Sequence, residues 1–321
     1  MSVLDSIGNP VMVDSPDCAY DQIAKGLTMV STIDFFYPLV DDPYNQGRIG
    51  AANVLSDLYS CGITEIVSVL MILSASSQMT KEQQLIVTRL MMQGFADAVR
   101  EAGSKVAGGQ SVINEFPMIG GAAFGLSRSE TPYVPKNAKP GDVLILTKPL
   151  GSQILVNVNQ YYMNKDEKWK TLALDKKLIK EEEIESIYQQ GLHYMGQLNN
   201  TAALLMMKYG VTSSTDVTGF GILGHAQNLA DCQIEPVDYI IERLPCYPVL
   251  HTLDKIVRNF KFKEGYAAET SGGLLISMPA DNADAFIRDM NQSGCNAWKM
   301  GRVEKGERKA KLVENIQAVE I

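Results

Sequence analysis

Residues 27–60 read LTMVSTIDFFYPLVDDPYNQGRIGAANVLSDLYS, and this stretch predicts a strand followed by a helix. Residues 27–33 resemble a strand that emerges at Asp34. Between residues 48 and 60, Asp57 lies among apolar residues that recur at helical spacing, namely Ile49, Ala52, Leu55 and Leu58. The stretch therefore places two carboxylates close to the ends of regular elements, where a loop could gather them.

The next elements alternate between strand and helix. Residues 65–73 are rich in Val, Ile and Leu, as expected of a buried strand. A helix follows, because Thr80 and Gln83 fit a capping box, an apolar stripe comes after them, and Gly103 stands where the helix should stop. Two further strands are predicted, one at 105–107 that runs into Gly-Gly-Gln-Ser at 108–111, and one at 118–126.

A proline-rich segment divides the chain. Residues 132–141, PYVPKNAKPG, contain three prolines that interrupt any periodicity. A length of 321 residues suggests two domains of roughly 150 residues each. We therefore predict domains at 1–137 and 138–321. The second is predicted to be α/β, with a strand at 142–147, one or two helices within 180–208, a turn feeding a helix within 215–230, strands near 237–241 and 273–278, a helix near 281–293 and a closing strand pair.

Acidic residues are concentrated at the start of the chain. Residues 1–80 contain nine acids but only two bases, Lys25 and Arg48, whereas the remainder is almost neutral. A pI near 5.1 argues against nucleic acid as a partner, because phosphate binding needs a basic patch. Five scattered cysteines without a Cys-x-x-Cys pair argue against a zinc site or a disulfide framework. No leader-like start or long apolar run is present, so we expect a cytoplasmic protein.

The acidic residues Asp17, Asp34 and Asp57 are candidate metal ligands. Magnesium is a hard cation that binds carboxylate oxygens together with substrate phosphates, so these side chains are of the right chemical type. The alternative is that each aspartate is a helix cap or a turn residue, which is common for Asp at element ends. The spacing alone leaves both interpretations open.

Three glycine-containing segments are candidate anion sites. Gly108–Ser111 could expose backbone N–H groups to a phosphate, although a Gly-Gly pair more often marks an ordinary turn. In the segment 215–221, Asp216 precedes two glycines at a helix entrance, which offers a cation ligand beside N–H donors. His225 follows and could transfer protons or merely pack. The segment 269–273, Glu-Thr-Ser-Gly-Gly, is either a turn or a second anion cradle.

Taken together, these motifs strongly resemble the selenophosphate synthetase family, also called selenide, water dikinases. The resemblance runs from about residue 15 to the end. It is carried by motifs in order and at the right spacing, namely those at 31–36, 40–44, 47–57, 108–111, 147–151, 215–224 and 270–273.

The resemblance implies two α/β domains of the aminoimidazole ribonucleotide synthetase type, with the first domain pairing into a homodimer through a shared β-barrel. It implies that ATP, selenide and water yield selenophosphate, orthophosphate and AMP, and that the product donates selenium for selenocysteine synthesis. By position, the magnesium ligands would be Asp17, Asp57 and Asp216, with Asp57 also touching nucleotide. The positions implied to contact ATP are Ser15, Pro16, Asp17, Asp34, Gly109, Gln110 and Ser111.

One part of the family pattern is not found in this sequence. The family places a glycine-rich segment upstream, with a Cys or selenocysteine followed three residues later by a Lys, and this chain begins too late to contain it. Cys18 and Lys25 have the wrong positions to replace that pair, so the catalytic residues stay unknown. We therefore expect a piece of a longer protein that binds nucleotide but turns over poorly. Two alternatives remain open: another ATP-dependent enzyme of the same superfamily, or a catalytically silent nucleotide-binding paralogue that partners an active subunit.

Overall fold

The computed structural model describes residues 17–37, 39–129, 133, 135–170 and 176–321. The elements of its first part are β1 (Ala19–Ala24), β2 (Leu27–Phe36), α1 (Pro43–Ser60), β3 (Glu65–Ser76), α2 (Lys81–Glu101), β4 (Val106–Asn114) and β5 (Met118–Ser127). The strands form an open five-stranded sheet in the order β1-β2-β5-β3-β4. All neighbouring strands are antiparallel except β3 and β4, which are parallel.

Helices α1 and α2 begin where the local sequence provides caps. The Asp42 side chain accepts a hydrogen bond from the Asn45 N–H at 2.6 Å, and Pro43 occupies the first turn, where its missing N–H costs nothing. The predicted capping box is confirmed at α2, where Thr80 and Gln83 bond to each other's backbone N–H. The two helices pack in backbone contact: a Cβ on Gly94 would lie 1.9 Å from the Tyr44 carbonyl oxygen.

Two details of the first part differ from the sequence-based expectation. Strand β2 continues through Asp34 to Phe36, so Asp34 lies within the strand and not beyond its end. The segment 108–111 is neither a turn nor a nest but the middle of β4. Its glycine allows close approach of the neighbouring strand, because a Cβ on Gly109 (φ 144°) would lie 1.9 Å from the Met71 carbonyl oxygen.

The second part has a six-stranded sheet in the order β11-β8-β10-β6-β9-β7. Its elements are β6 (Asp142–Leu146), α3 (Ser152–Met163), the short turn α4 (Glu167–Trp169), α5 (Glu181–Gly196), α6 (Asn200–Tyr209), β7 (Ser213–Asp216), α7 (Gly221–Asp231), β8 (Val237–Cys246), α8 (Leu250–Val257), β9 (Leu274–Pro279), α9 (Ala280–Gln292), β10 (Trp298–Lys305) and β11 (Ala310–Glu320). The closing strands were expected to pair with each other. Instead, β10 and β11 flank β8 on opposite sides, and only β11 runs parallel to it.

Four elements, β1, α3, α4 and α8, were not predicted from the sequence. The first sheet is open, and among the described residues no closed barrel is formed, so the shared barrel stays a prediction. None of the described helices has the length and apolar character needed to cross a membrane.

Helix α1 joins the two parts of the molecule. Most of its buried apolar residues belong to the core of the first sheet, but Ile49 packs into the large core of the second part. In return, Leu198 and Ala203 from the second part pack into the first core. The helix that carries Asp57 is therefore fixed by both cores.

Candidate functional site

Three aspartates that are distant in sequence converge between the two sheets. Asp17 lies just before β1, Asp57 on α1 and Asp216 at the end of β7. One carboxylate oxygen from each lies within 4.8 Å of the others. This spacing lets the three oxygens contact a single metal ion.

Neighbouring hydroxyl groups orient these carboxylates. The Ser60 hydroxyl donates to Asp17 Oδ2 at 2.8 Å, and the Thr215 hydroxyl donates to Asp17 Oδ1 at 3.2 Å. The Thr32 hydroxyl of β2 donates to Asp57 Oδ2. These donors belong to both parts of the chain, so the geometry of the cluster depends on how the two parts are placed relative to each other.

The cluster is short of positive charge. Burial, followed by the nearby Cys61, raises the pKa of Asp17 to about 7, and burial together with Asp17 raises the pKa of Asp216 to about 8. Burial and the charges of Asp216 and Asp17 raise the pKa of Asp57 well above its usual value. Crowded, desolvated carboxylates repel each other when ionised, and a bound divalent cation removes that repulsion.

A buried lysine lies behind the cluster. Lys148 is 2% exposed, and its Nζ donates to the carbonyl oxygens of Gln197 at 2.7 Å and Ser271 at 2.9 Å. Burial lowers the pKa of Lys148 to about 7, and the nearby Asp216 opposes that shift. The lysine therefore holds two loops together beside the cluster.

Asp34 is held next to the cluster by α1. Its Oδ1 accepts the Phe35 N–H at 2.8 Å, and its Oδ2 accepts a hydrogen bond from the Asn53 side-chain amide. Burial raises the pKa of Asp34. Asp34 shares a face of β2 with Thr32, which in turn bonds to Asp57.

The structure does not bring the segment 109–111 to the cluster. Across the first sheet, Asp34 is aligned with Gly121 of β5, Gly121 with Met71 of β3, and Met71 with Gly109 of β4. Three strand spacings of about 4.8 Å place Gly109 about 14 Å from Asp34. Gln110 and Ser111 belong to the same edge strand. The expected ATP contacts Ser15 and Pro16 lie outside the described residues.

The segment 269–273 is a tightly held turn. Glu269 accepts the backbone N–H groups of Gly151 at 2.6 Å and Ser152 at 2.8 Å, as well as the Ser152 hydroxyl. Its carboxylate thus occupies the amino end of α3, where an external anion would otherwise bind. Of the two interpretations of this segment, the structure favours the turn.

His225 also has a structural role. Its Nε2 accepts the Thr218 N–H at 3.0 Å and the Phe220 N–H at 3.4 Å, which fixes the turn that leads into α7. Burial lowers the pKa of His225 to about 4, so the ring is neutral at physiological pH. A neutral acceptor engaged by two N–H groups is poorly placed for proton transfer.

Several residues of the site were not anticipated from the sequence. They are the orienting hydroxyls of Thr32, Ser60 and Thr215, and the buried side chains of Asn53, Lys148 and Glu269. Lys148 lies in the motif 147–151, and Asn53 lies in the motif 47–57. The sequence motifs indicated these regions of the chain. The role of each side chain, however, depends on the loop that packs against it, and the motifs do not show that packing.

Comparison with known proteins identifies both parts of the chain. Residues 15–127 match the family model "AIR synthase related protein, N-terminal domain", and residues 139–313 match "AIR synthase related protein, C-terminal domain". Among solved structures, thiamine monophosphate kinase from Aquifex aeolicus superposes with a TM-score of 0.69 at 18% identity, covering 99% of this chain and 97% of that one. At such low identity this similarity establishes the fold alone.

Curated relatives are much more similar in sequence. Human "Selenide, water dikinase 2" is 45% identical over 300 residues, 92% of this chain and 66% of that protein. The chain thus spans about two thirds of the human relative's length. "Selenide, water dikinase" of Dictyostelium discoideum is 42% identical over 331 residues, 100% of this chain and 89% of that protein. The Trypanosoma brucei brucei relative is 46% identical over 290 residues, 89% and 73% of the two chains.

The family resemblance of the motifs is therefore confirmed over nearly the whole chain, together with a two-domain AIR synthase-type fold. This chain belongs to the selenide, water dikinase family of AIR synthase related proteins.

Proposed function

We propose that this protein makes selenophosphate from ATP, selenide and water, releasing orthophosphate and AMP, and so supplies selenium for selenocysteine synthesis. Family membership supports the reaction class. The observation that carries the proposal is the convergence of Asp17, Asp57 and Asp216 within 4.8 Å. Phosphoryl transfer depends largely on positioning and on neutralising charge, which such a cluster can assist.

We further propose that these three aspartates hold Mg²⁺. The donor set fits, because all three ligands are hard carboxylate oxygens and their raised pKa values indicate missing positive charge. Bound magnesium would neutralise phosphate oxygens of ATP. Ser60, Thr215 and Thr32 orient the carboxylates for this task.

We propose that Asp34 and Asp57, which belong to the first part of the chain, both contact the nucleotide. Asp34 has both oxygens oriented by hydrogen bonds, yet each oxygen retains a lone pair for a ligand. Asp57 would contact both magnesium and nucleotide. Ser15 and Pro16 keep their predicted contacts with ATP.

A second copy of this chain is the proposed partner of the first sheet. Helices α1 and α2 cover one face, whereas the opposite face exposes Ile33 (63%) and Phe35 (52%) of β2 and Leu70 (37%) of β3. Edge strand β4 adds Val112 (49%), which is aligned with Ser74 on the same face as Leu70. Exposed apolar surface of this kind favours association, and pairing two open sheets would form the expected shared barrel.

The dimer would also explain the position of Gln110 and its neighbours. Gln110 is aligned with Ile72, Ile72 with Gly120, and Gly120 with Phe35, so Gln110 belongs to the uncovered face. We propose that Gly109, Gln110 and Ser111 contact the nucleotide bound to the partner subunit, because Gly109 lies about 14 Å from Asp34 of its own chain.

The reaction is tested by phosphorus NMR of the protein with ATP, Mg²⁺ and selenide under anaerobic conditions. We expect AMP, orthophosphate and a selenophosphate resonance to form slowly, in keeping with the poor turnover expected from the sequence, and to be lost in the Asp57→Asn variant. A different phosphorylated product would favour another enzyme of the superfamily. Nucleotide binding without AMP release would favour the silent paralogue, and absence of nucleotide binding would refute the proposal.

A further inference from the structure

Asn53 connects the two parts of the molecule at the site. It lies on α1, and its side chain is 5% exposed. Its Nδ2 donates to Asp34 Oδ2, and its Oδ1 accepts the backbone N–H of Ser271 at 3.1 Å. One amide group thus contacts both a carboxylate proposed to bind nucleotide and a loop of the second part.

The chemistry of these two contacts requires an amide. The Ser271 N–H can only donate, so the atom facing it must be an acceptor, which turns the NH₂ group towards Asp34. A carboxylate at this position could satisfy Ser271 but would repel Asp34. An aliphatic side chain would leave both partners without a hydrogen bond in a buried place.

The loop that Asn53 contacts is rigidly anchored. The Ser271 carbonyl accepts Lys148 Nζ, and the Gly272 carbonyl accepts Asn199 Nδ2 at 3.0 Å. The backbone packs so closely that a Cβ on Gly272 would lie 2.1 Å from the Val217 carbonyl oxygen. Ser271 itself has a φ of 47°, a left-handed conformation that non-glycine residues adopt only where their surroundings hold it.

The same loop is fixed relative to Asp216. Val217 directly follows Asp216, and its N–H donates to the Gly273 carbonyl at 3.0 Å. The position of Ser271 therefore depends on the position of the end of β7, which carries Asp216. Through Asn53, Asp34 on the first sheet is held at a defined place relative to that carboxylate.

We propose that Asn53 is a positioning residue that sets the Asp34 carboxylate relative to Asp216 for binding of the metal–nucleotide complex. The proposal rests on the function proposed above. Asn53 does not contact the reacting atoms, and its contribution is exerted through Asp34.

The test measures binding of Mg²⁺ with AMPPCP, a non-hydrolysable ATP analogue, by titration calorimetry, together with the melting temperature of each variant. In Asn53→Asp the Ser271 contact is retained but the donor to Asp34 is lost, and we expect at least tenfold weaker binding. Asn282→Asp is the matched control. Its half-buried amide donates to the Tyr209 carbonyl far along the chain, so its loss should leave nucleotide affinity unchanged.

The double variant Asn53→Asp/Asp34→Asn separates positioning from a purely structural role. In this variant the amide at position 34 can donate to the carboxylate at position 53. The hydrogen bond is therefore restored, while the negative charge moves from position 34 to position 53. We expect the melting temperature to recover relative to Asn53→Asp while affinity stays at least tenfold low. Recovery of both would overturn the proposal, since nucleotide binding would then need the hydrogen bond but not a carboxylate at position 34.

Two further outcomes are decisive. Wild-type affinity in Asn53→Asp would overturn the role of Asn53 while leaving the proposed function intact. Failure of the wild-type protein itself to bind the analogue would refute the proposed function and, with it, this inference. If Asn53→Asp does not fold, Asn53→Ala replaces it with the same expected tenfold loss, and wild-type affinity there would contradict the proposal.

Discussion

Glu269 and Ser152 form a buried cap that fixes the amino end of α3 to the turn before β9. The Glu269 carboxylate accepts both the N–H and the hydroxyl of Ser152, and the same hydroxyl accepts the Thr270 N–H at 2.9 Å. Burial raises the pKa of Glu269 to about 7, and the hydrogen bonds from these donors oppose that rise because they stabilise the ionised carboxylate. The turn that carries Ser271 is thereby held in place.

We expect Glu269→Gln to destabilise the protein by about 2 kcal/mol, because an amide offers only one oxygen to several buried donors. The free energy of unfolding, measured with urea, checks this. Glu264→Gln is the control, since Glu264 is an exposed glutamate of the same loop between α8 and β9 and its change should have little effect. Equal stability of the two variants would contradict the importance of the cap.

The metal-free protein should lose stability as the pH rises from 5 to 7. Burial raises the pKa of Asp17 to about 7 and of Asp216 to about 8, both from 3.8. In this range the folded state binds protons that the unfolded state has released, so the stability present below pH 4 is progressively lost. We expect the melting temperature in EDTA to fall by at least about 4 °C.

Saturating Mg²⁺ should reduce that fall, because a bound cation stabilises the ionised carboxylates. Asp216→Asn should also reduce it in EDTA, since the variant removes one of the titrating groups. Some pH dependence should persist in the variant, because the pKa of Glu269 is raised to about 7 as well. A melting temperature in EDTA that does not change between pH 5 and 7 would contradict the electrostatic description of the cluster.

Local signals in the sequence predicted the first part of the fold well. The capping box of Thr80 and Gln83 and the apolar spacing around Leu55 depend on neighbours within one helix, and both were confirmed. The pair Gly108-Gly109 was interpreted wrongly. A glycine that lets two strands approach has the same sequence signature as a glycine in a turn, and only the position of Met71 distinguishes them.

The carboxylates of the site were identified by their chemistry, but their arrangement could not be derived from it. Asp57 meets Asp216 because α1 is shared by two cores, with Ile49 in one and most of its buried apolar residues in the other. This packing is a tertiary property without a periodic signal. For the same reason, no local signal indicates that Asn53 contacts Ser271, which is distant along the chain.

The neutral state of His225 leads to a prediction about the pH dependence of the activity. Burial lowers its pKa to about 4, and its Nε2 accepts backbone N–H groups in the turn before α7. Substitution by Ala should cost about 1–2 kcal/mol, because those N–H groups lose their acceptor. The shape of the activity–pH profile between pH 6 and 9 should be unchanged, and a profile that loses one titration step in His225→Ala would instead assign the histidine a role in proton transfer.

The uncovered face of the first sheet predicts the oligomeric state. Phe35 is 52% exposed and lies two residues from Ile33, on the face opposite α1 and α2. A charge at this position should prevent a second copy from covering the face, because burying an unpaired carboxylate is costly. We expect the wild-type protein to sediment as a dimer and Phe35→Asp to sediment as a monomer with its helix content retained.

Ile234→Asp provides the matched control for this experiment, since Ile234 is 61% exposed in the second part of the chain and away from that face. It should remain dimeric. If Gln110 and its neighbours serve the nucleotide of the partner subunit, the Phe35→Asp monomer should also bind the metal–nucleotide complex at least tenfold more weakly. A monomer that binds nucleotide as tightly as the wild type would show that each chain holds a complete site, because no contact across the dimer would then contribute to affinity.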